Sequence, residues 1–261
     1  MNKVTASQLW PQVAPEWIQN LPDGLENLIF RFYRGILYDN RYMMYINGLR
    51  NTLLLTFLAL LLGLVLGIVI ALVRVTWDKN AEEMHGFPKI VLGFFNGVCR
   101  VYLTVIRGTP AVVQLMIMYF VIFASSRNKI MVAALSFGIN SGAYVAEIIR
   151  SGIMSIDVGQ MEAGRSLGFG YVSTMRYIIL PQAFKTVLPT LANEFIVLLK
   201  ETAVAGYVSV ADITYVGNII GGNSYDYLIP LVTAAVIYLV MVMILTYLVG
   251  RLERRLRKSE R

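Results

Sequence analysis

Between Arg50 and Arg74 lies a run of 22 residues, Thr52 to Val73, that carries no charge. As a helix rising 1.5 Å per residue it crosses a hydrocarbon core of ~30 Å, which makes it a first membrane span. Gly63 and Gly67 form a small-xxx-small pair within it, a pattern that permits close approach of a neighbouring helix. The rest of the composition agrees. Of 261 residues, 57% are hydrophobic and 15% charged, against about 25% charged in a soluble domain. One compact bundle accounts for the length. One cysteine, Cys99, and one histidine, His85, exclude a disulfide framework, a multi-cysteine metal site and a His-rich centre. The net charge of +7 is not a nucleic-acid patch: six of the basic residues lie in the last eleven, RLERRLRKSER. That is the signature of a cytoplasmic juxtamembrane tail, here residues 251–261.

Residues 1–45 contain no basic start followed by an apolar core and a small-residue cleavage site, so no signal peptide is expected. Pro11, Pro15 and Pro22 predict extended or turning chain up to about residue 24. Leu25 to Ile46 alternates aromatics and arginines amphipathically, which predicts a helix in the membrane interface; a solvated leader that only anchors the chain reads the segment equally well. After the first span, Val75 to Lys89 is charged, contains Pro88 and reads as a loop. Ile90 to Ala124 predicts a helix that starts at the interface, bends at Gly108–Pro110 and crosses as span two. Ile130–Ala146 is span three, Ala183 to about Ala205 span four, and Tyr227–Gly250 span five, with Gly206–Asp226 a loop between the last two. Five spans put the ends on opposite sides, with the basic tail inside and the N-terminus outside. Residues 75–89 and 151–182 then fall inside, and 206–226, which has no Lys or Arg, outside. Lys3, Arg31, Arg34, Arg41 and Arg50 dissent from this orientation.

Polar residues inside spans are the functional candidates. Asn140, Tyr144 and Glu147 fall at i, i+4, i+7, on one face of span three. A carboxylate there is costly against lipid, so the face should look into the bundle or a watered cavity, as a translocation wall or as a polar cluster fastening helices. Asn193 and Glu194 sit mid-span in span four, and an intramembrane carboxylate is a functional hypothesis by default. Gln114 and Asn51-Thr52 are weaker candidates, equally readable as caps or interhelical hydrogen bonds. The chain has no GxxxxGK[ST] phosphate loop, no HExxH and no GxSxG, so it has no phosphate-loop ATP site and no machinery for covalent or metal-assisted catalysis.

The remaining feature is a polar, glycine-punctuated island from Gln160 to Pro181. It resembles the cytoplasmic loop of permease subunits of bacterial ATP-binding-cassette importers, which reads E-A-A, three residues, G, nine residues, I-x-L-P. Glu162-Ala163-Gly164, Gly168, Ile178, Leu180 and Pro181 stand at those positions, with Gly164 where the family usually has Ala. Arg107 to Pro110 with Gln114, Gly142 to Glu147 with Arg150 to Ile153, Gly159-Gln160, and Asn193 to Phe195 with Leu199 to Thr202 are similar to the polar amino acid subfamily, whose members import histidine, glutamine, glutamate or arginine. The resemblance covers about residues 46–250 and leaves 1–45 outside it.

The resemblance implies an all-α integral membrane protein with the five-helix core of a type I, MetI-like importer permease, preceded by the interfacial N-terminal helix. It implies an inner-membrane subunit that pairs with an identical or paralogous permease. ATP and Mg would be bound by separate ATPase subunits gripping Gln160, Glu162, Ala163, Gly164, Gly168, Leu180 and Pro181, and an extracytoplasmic amino-acid-binding protein would deliver the substrate. Gln114, Asn140, Tyr144, Glu147, Asn193, Glu194 and Thr202 are the candidate substrate pathway. Two other classes stay open. One is an ion-coupled secondary transporter using Glu194 or Glu147, against which the lack of an internal inverted repeat counts. The other is a non-transporting membrane assembly protein, which leaves the island unexplained.

Overall fold

The computed structural model describes residues 6–258; Lys3 and residues 259–261 of the basic tail lie outside it. The described residues are helical, with no strand. In order they form α1 (Ala6–Val13), α2 (Glu16–Gln19), α3 (Asp23–Phe32), α4 (Arg41–Asn80), α5 (Phe87–Arg107), α6 (Ala111–Ile117), α7 (Lys129–Met154), α8 (Val158–Ser166), α9 (Tyr171–Thr174), α10 (Leu180–Glu201), α11 (Ile213–Ser224) and α12 (Leu228–Lys258). The stretch ending in α4, together with α5, α7 and α12, is long and apolar enough to cross a membrane, and Ala111–Ile122 adds a shorter apolar helix. The fifth pass, α10, has 22 residues, about 33 Å of helix, but Lys185, Glu194, Lys200 and Glu201 make it the polar one.

The chain divides into two compact units: residues up to Thr52 with Ala203–Met241, and Leu53–Thr202 with the residues from Val242 onward. In the first, Tyr45, Ile213, Val216, Ile220 and Ala234 form the apolar core. The Tyr45 hydroxyl donates to the Pro230 carbonyl at 3.1 Å. Asp212 caps α11 by accepting from the Thr214 and Tyr215 amides, and the Tyr238 hydroxyl donates to it at 3.2 Å. The Arg31 guanidinium donates twice to Asp226, at 2.6 and 2.7 Å, and Arg34 once at 3.2 Å. Arg31 in that fork holds the Asp226 carboxyl down at about 2. What the pair contributes is therefore complete above the ordinary carboxylate range, near pH 4, and is lost only as pH falls through about 2.

In the second unit α7 is the central helix. The most apolar stretch of α7 is 67% buried, against 6% for α5 and 11% for α12, so α5 and α12 present their apolar sides outward, as helices in lipid do. The glycine pair of the first span meets α7 directly. A Cβ on Gly63 would lie 3.2 Å from Ser141 Cβ, and one on Gly67 would lie 2.6 Å from Val145 Cβ and 3.0 Å from the Ala146 amide. On the other side, Gly138 faces Leu62 and Gly142 faces Leu66. Close backbone approach lets dispersion contacts hold the two helices where no hydrophobic drive exists.

Several expected boundaries are corrected. Pro11, Pro15 and Pro22 do not keep the first 24 residues extended: α1 and α2 form there, with Pro15 and Pro22 at the N-caps of α2 and α3, where a missing N–H costs nothing. The amphipathic stretch Leu25–Ile46 is not one helix, because Asp39 and Asn40 adopt positive φ (54° each) and break it, a conformation these two residue types tolerate. α4 therefore starts at Arg41 and runs to Asn80, outside the uncharged run at both ends. The loop expected at 75–89 shrinks to residues 81–86, since Pro88 sits in the first turn of α5. The connection expected at 151–182 is largely helical, and so is 206–226, where the Asp212 cap starts α11 and buries Ile213, Val216 and Ile220. The expected bend at Gly108–Pro110 is present between α5 and α6.

Candidate functional site

The island folds into α8, a hinge, and the lead-in to α10. Asp157 caps α8 by accepting from the Gly159 amide at 2.6 Å. At the other end Gly168 takes φ +86°. Its amide donates to the Arg165 carbonyl at 2.9 Å, and the Phe169 amide donates to Gly164 at 3.1 Å. These two bonds form a Schellman closure, and its left-handed residue is glycine because a Cβ there is strained. The spacing from Glu162 to Gly168 is thus the spacing of a short helix to its own stop.

Met161 and Gly164 turn inward. Met161 packs against the cluster of Val75, Ile153, Ile179 and Ala183. Gly164 is buried, and a Cβ there would meet the Thr174 methyl at 2.5 Å and its hydroxyl at 2.9 Å. The departure from Ala at this position therefore permits the close contact between α8 and α9. Gly164→Ala is expected to cost about 1–3 kcal/mol by overpacking, lowering the Tm of the solubilised protein by several degrees, and Thr174→Ala in the same chain should recover most of the loss.

Gln160, Glu162, Ala163 and Arg165 face outward, as do Leu180 and Pro181 beyond the hinge. Val158, Leu167 and Val172 are about three-quarters exposed around them, an apolar fringe on a helix too short and polar to sit in lipid. Pro181 has no amide to offer the turn before it, and a π-helical turn, Met175–Ile179, precedes it. The Gln182 side chain donates to the Ile178 carbonyl at 2.9 Å and to Gln160 Oε1 at 3.2 Å, tying α10 to α8. Gln182 was missed from sequence; its place directly after Pro181, beside carbonyls freed by a proline, was the available signal.

The polar residues of the spans fall into separate groups. Asn140, 2% exposed, donates to Gln114 Oε1 at 2.9 Å. The Gln114 amide donates in turn to the Ile106 and Thr109 carbonyls and to the Thr109 hydroxyl, at 2.7 to 3.1 Å. Gln114 thus supplies donors to the open carbonyl end of α5 and is at once a cap and an interhelical partner. Arg107 lies over the Tyr144 ring at 5.6 Å. Glu194 accepts from the Ser141 hydroxyl at 3.3 Å, one residue along α7 from Asn140. Asn140 thus joins α7 to α6 and the end of α5, while Ser141, on the adjoining face, joins α7 to α10.

Glu147, Asn193 and Thr202 stand apart. Glu147 takes a bidentate bond from Arg150, at 2.7 and 3.3 Å. Asn193 opens onto a cavity of about 360 Å³ with Lys185, Thr186, Thr190 and Glu253. Thr202 is buried, donates to the Leu199 carbonyl at 2.8 Å and lies 3.5 Å from the Thr56 hydroxyl. The geometry offers an exposed helix capped at both ends and buried polar contacts between spans.

Known proteins resemble this chain in sequence and fold. Residues 90–258 match the family described as binding-protein-dependent transport system inner membrane component. The chain is 38% identical to the arginine transport system permease protein ArtQ of Bacillus subtilis over 186 residues, 66% of this chain and 85% of the relative. It is 39% identical to the glutamine transport system permease protein GlnP of Escherichia coli over 177 residues, 66% of this chain and 81% of the relative. Among solved structures, it superposes on a chain of an amino acid ABC transporter crystallised with histidines with a TM-score of 0.73 and 41% identity, covering 82% of this chain and 94% of the other. A chain of the inward-facing MetNI methionine ABC transporter shares the fold at 19% identity, with a TM-score of 0.70 over 84% of this chain and 98% of the other.

Proposed function

Because the chain belongs to the family of binding-protein-dependent transport system inner membrane components and is an amino acid ABC permease, we propose that it forms the translocation pathway of an ATP-driven importer of polar amino acids and takes its power stroke through α8. The observation that carries this reading is α8 itself: a nine-residue helix closed at both ends by its own caps, with Glu162 exposed and an apolar fringe beside it. Such a helix can be gripped as a rigid body. Separate ATPase subunits, which bind the ATP and Mg, hold it from the cytoplasmic side, where the basic tail also lies. The N-terminus lies outside, an extracytoplasmic binding protein delivers the amino acid there, and a second permease subunit, identical or paralogous, completes the pore.

Motion of α8 reaches α10 through the Gln160–Gln182 bond, through Met161 in the cluster that holds Ala183 and, by way of α9, through Gly164 against Thr174, and α10 carries Glu194 against Ser141 of α7. Packed helices shift between discrete arrangements instead of deforming gradually, which suits alternating access. The arginine and glutamine named for the relatives are the first substrates to try. In proteoliposomes, uptake of either should require added ATPase, binding protein and ATP. Uptake by this chain alone, driven by a proton gradient through Glu194, is the result that defeats the proposal.

Asn140→Leu separates the pathway from the scaffold. It leaves Gln114 Oε1 without its donor, a cost of about 1–3 kcal/mol, while the Gln114 amide still caps α5. Uptake is expected to fall about tenfold with assembled protein largely retained, whereas Gln114→Leu, which uncaps α5 as well, should lower the yield too. Equal uptake by Asn140→Leu and the unaltered chain removes the Asn140–Gln114 pair from the pathway.

A further inference from the structure

The contacts of α8 described so far lead to α10, yet α4 is tied to the same corner by charge. Asp78, two residues before the end of α4 at Asn80, faces Arg150 of α7 at 3.1 Å and Arg74 of its own helix at 4.0 Å. Arg150 also grips Glu147 at 2.7 Å, and Arg74 donates to Asn96 of α5 at 2.6 Å. The side chains of Arg74, Asp78, Glu147 and Arg150 are between 13% and 29% exposed, so water screens them less than surface pairs. Among the described residues Asp78 is the one acidic side chain that bridges α4 to α7. Arg150 lies four residues before the end of α7, and α8 follows within a few residues more. Below the network, Val75 packs with Ile153 and Ile179, and Met161 of α8 joins them. The Glu83–Arg165 pair, at 3.7 Å with both side chains at least half exposed, adds little.

We infer that Asp78 is a positioning residue that locks α4 to α7, so that the stroke delivered at α8 moves the first span together with the others. The inference rests on the importer reading. The physical need is specific. The glycine contact between α4 and α7 is apolar and non-directional, and small side chains leave helices free to slide along each other. An ion pair with hydrogen-bond geometry fixes register, the best-attested use of partly buried charge. Arg150 is already oriented by its fork to Glu147, so it presents a fixed guanidinium to Asp78 and requires little further ordering.

The test is uptake per ATP hydrolysed, in proteoliposomes holding the full complex, with arginine and glutamine as probes. Asp78→Asn should leave membrane insertion, ATPase co-purification and binding-protein-stimulated hydrolysis within twofold, and lower uptake per ATP at least fivefold. Asp78→Glu, which keeps the charge, should restore the ratio to within twofold. A second measurement needs no variant of Asp78. With Cys99→Ser, spin labels at Glu82 and Ser155 report the distance between the ends of α4 and α7, which should change by less than 3 Å between nucleotide-free and ATP-trapped complexes. An unaltered ratio in Asp78→Asn, failure of Asp78→Glu to restore it, or a label distance that changes by more than 5 Å overturns the inference. No ATP-dependent uptake by the unaltered chain overturns the importer reading itself, a separate outcome.

Discussion

Replacing Glu162 by lysine is expected to abolish amino acid uptake, to a few per cent of the unaltered chain, while the membrane bundle assembles normally. Glu162 is exposed and makes no hydrogen bond or ion pair among the described residues. Reversing its charge therefore removes nothing that holds α8 together. The Asp157 cap, the Gly168 closure and the burial of Met161 and Gly164 all lie elsewhere on the helix. What the change alters is the face offered to a partner, where an introduced like-sign contact or an unpaired charge costs several kcal/mol, enough to weaken docking at least tenfold. Co-purification of the ATPase with the permease is the measurement, with thermal stability of the isolated permease as the control. Normal co-purification of Glu162→Lys means that α8 is not the docking helix.

The second large effect is expected at Gly67. Gly67→Val places two methyl groups where even a Cβ would overlap Val145 and press on the Ala146 backbone. A flexible side chain can swing aside, but the Ala146 amide belongs to a helix backbone and cannot. The helices must separate along the whole contact, which forfeits the packing of Gly63 on Ser141 and of Gly138 and Gly142 on Leu62 and Leu66. Overpacking of this kind costs ~1–3 kcal/mol or more, a large part of a total stability of ~5–15 kcal/mol. Most of the protein should be lost from the monodisperse peak in detergent. Gly63→Ala, whose Cβ meets Ser141 at 3.2 Å, should be far milder. Gly97→Val, on α5 with open space around it, should be neutral. Equal yields for Gly67→Val and Gly97→Val contradict the close contact of α4 with α7.

Most spans were legible because lipid leaves the chain few options: an uncharged run such as Thr52–Val73 must be a helix, and only its ends are negotiable. The ends of the spans differ from the ends of the uncharged runs. Charge marks where hydrocarbon stops, while backbone chemistry marks where a helix stops, and α4 continues past Arg50 and Arg74 until Asp39-Asn40 at one end and Asn80 at the other. Segment 206–226 reads as a loop from its glycine and asparagine, which count against helix in water; the Asp212 cap and burial of one face outweigh that preference. In the candidate site, Asn140, Tyr144 and Glu147 share a face of α7 by their spacing, yet spacing within one helix says nothing of what the next helix brings. Asn140 meets Gln114, but Glu147, on the same face, is taken up by Arg150 and, through it, Asp78.

Gln114 ties two properties of the molecule into one. Its amide holds the open carbonyls at the end of α5, and its oxygen faces Asn140. Any change that draws that amide away uncaps α5 as it does so, freeing the bend at Gly108–Pro110. The stiffness of the joint between α5 and α6 is thereby set by a side chain of α6 that also answers to α7.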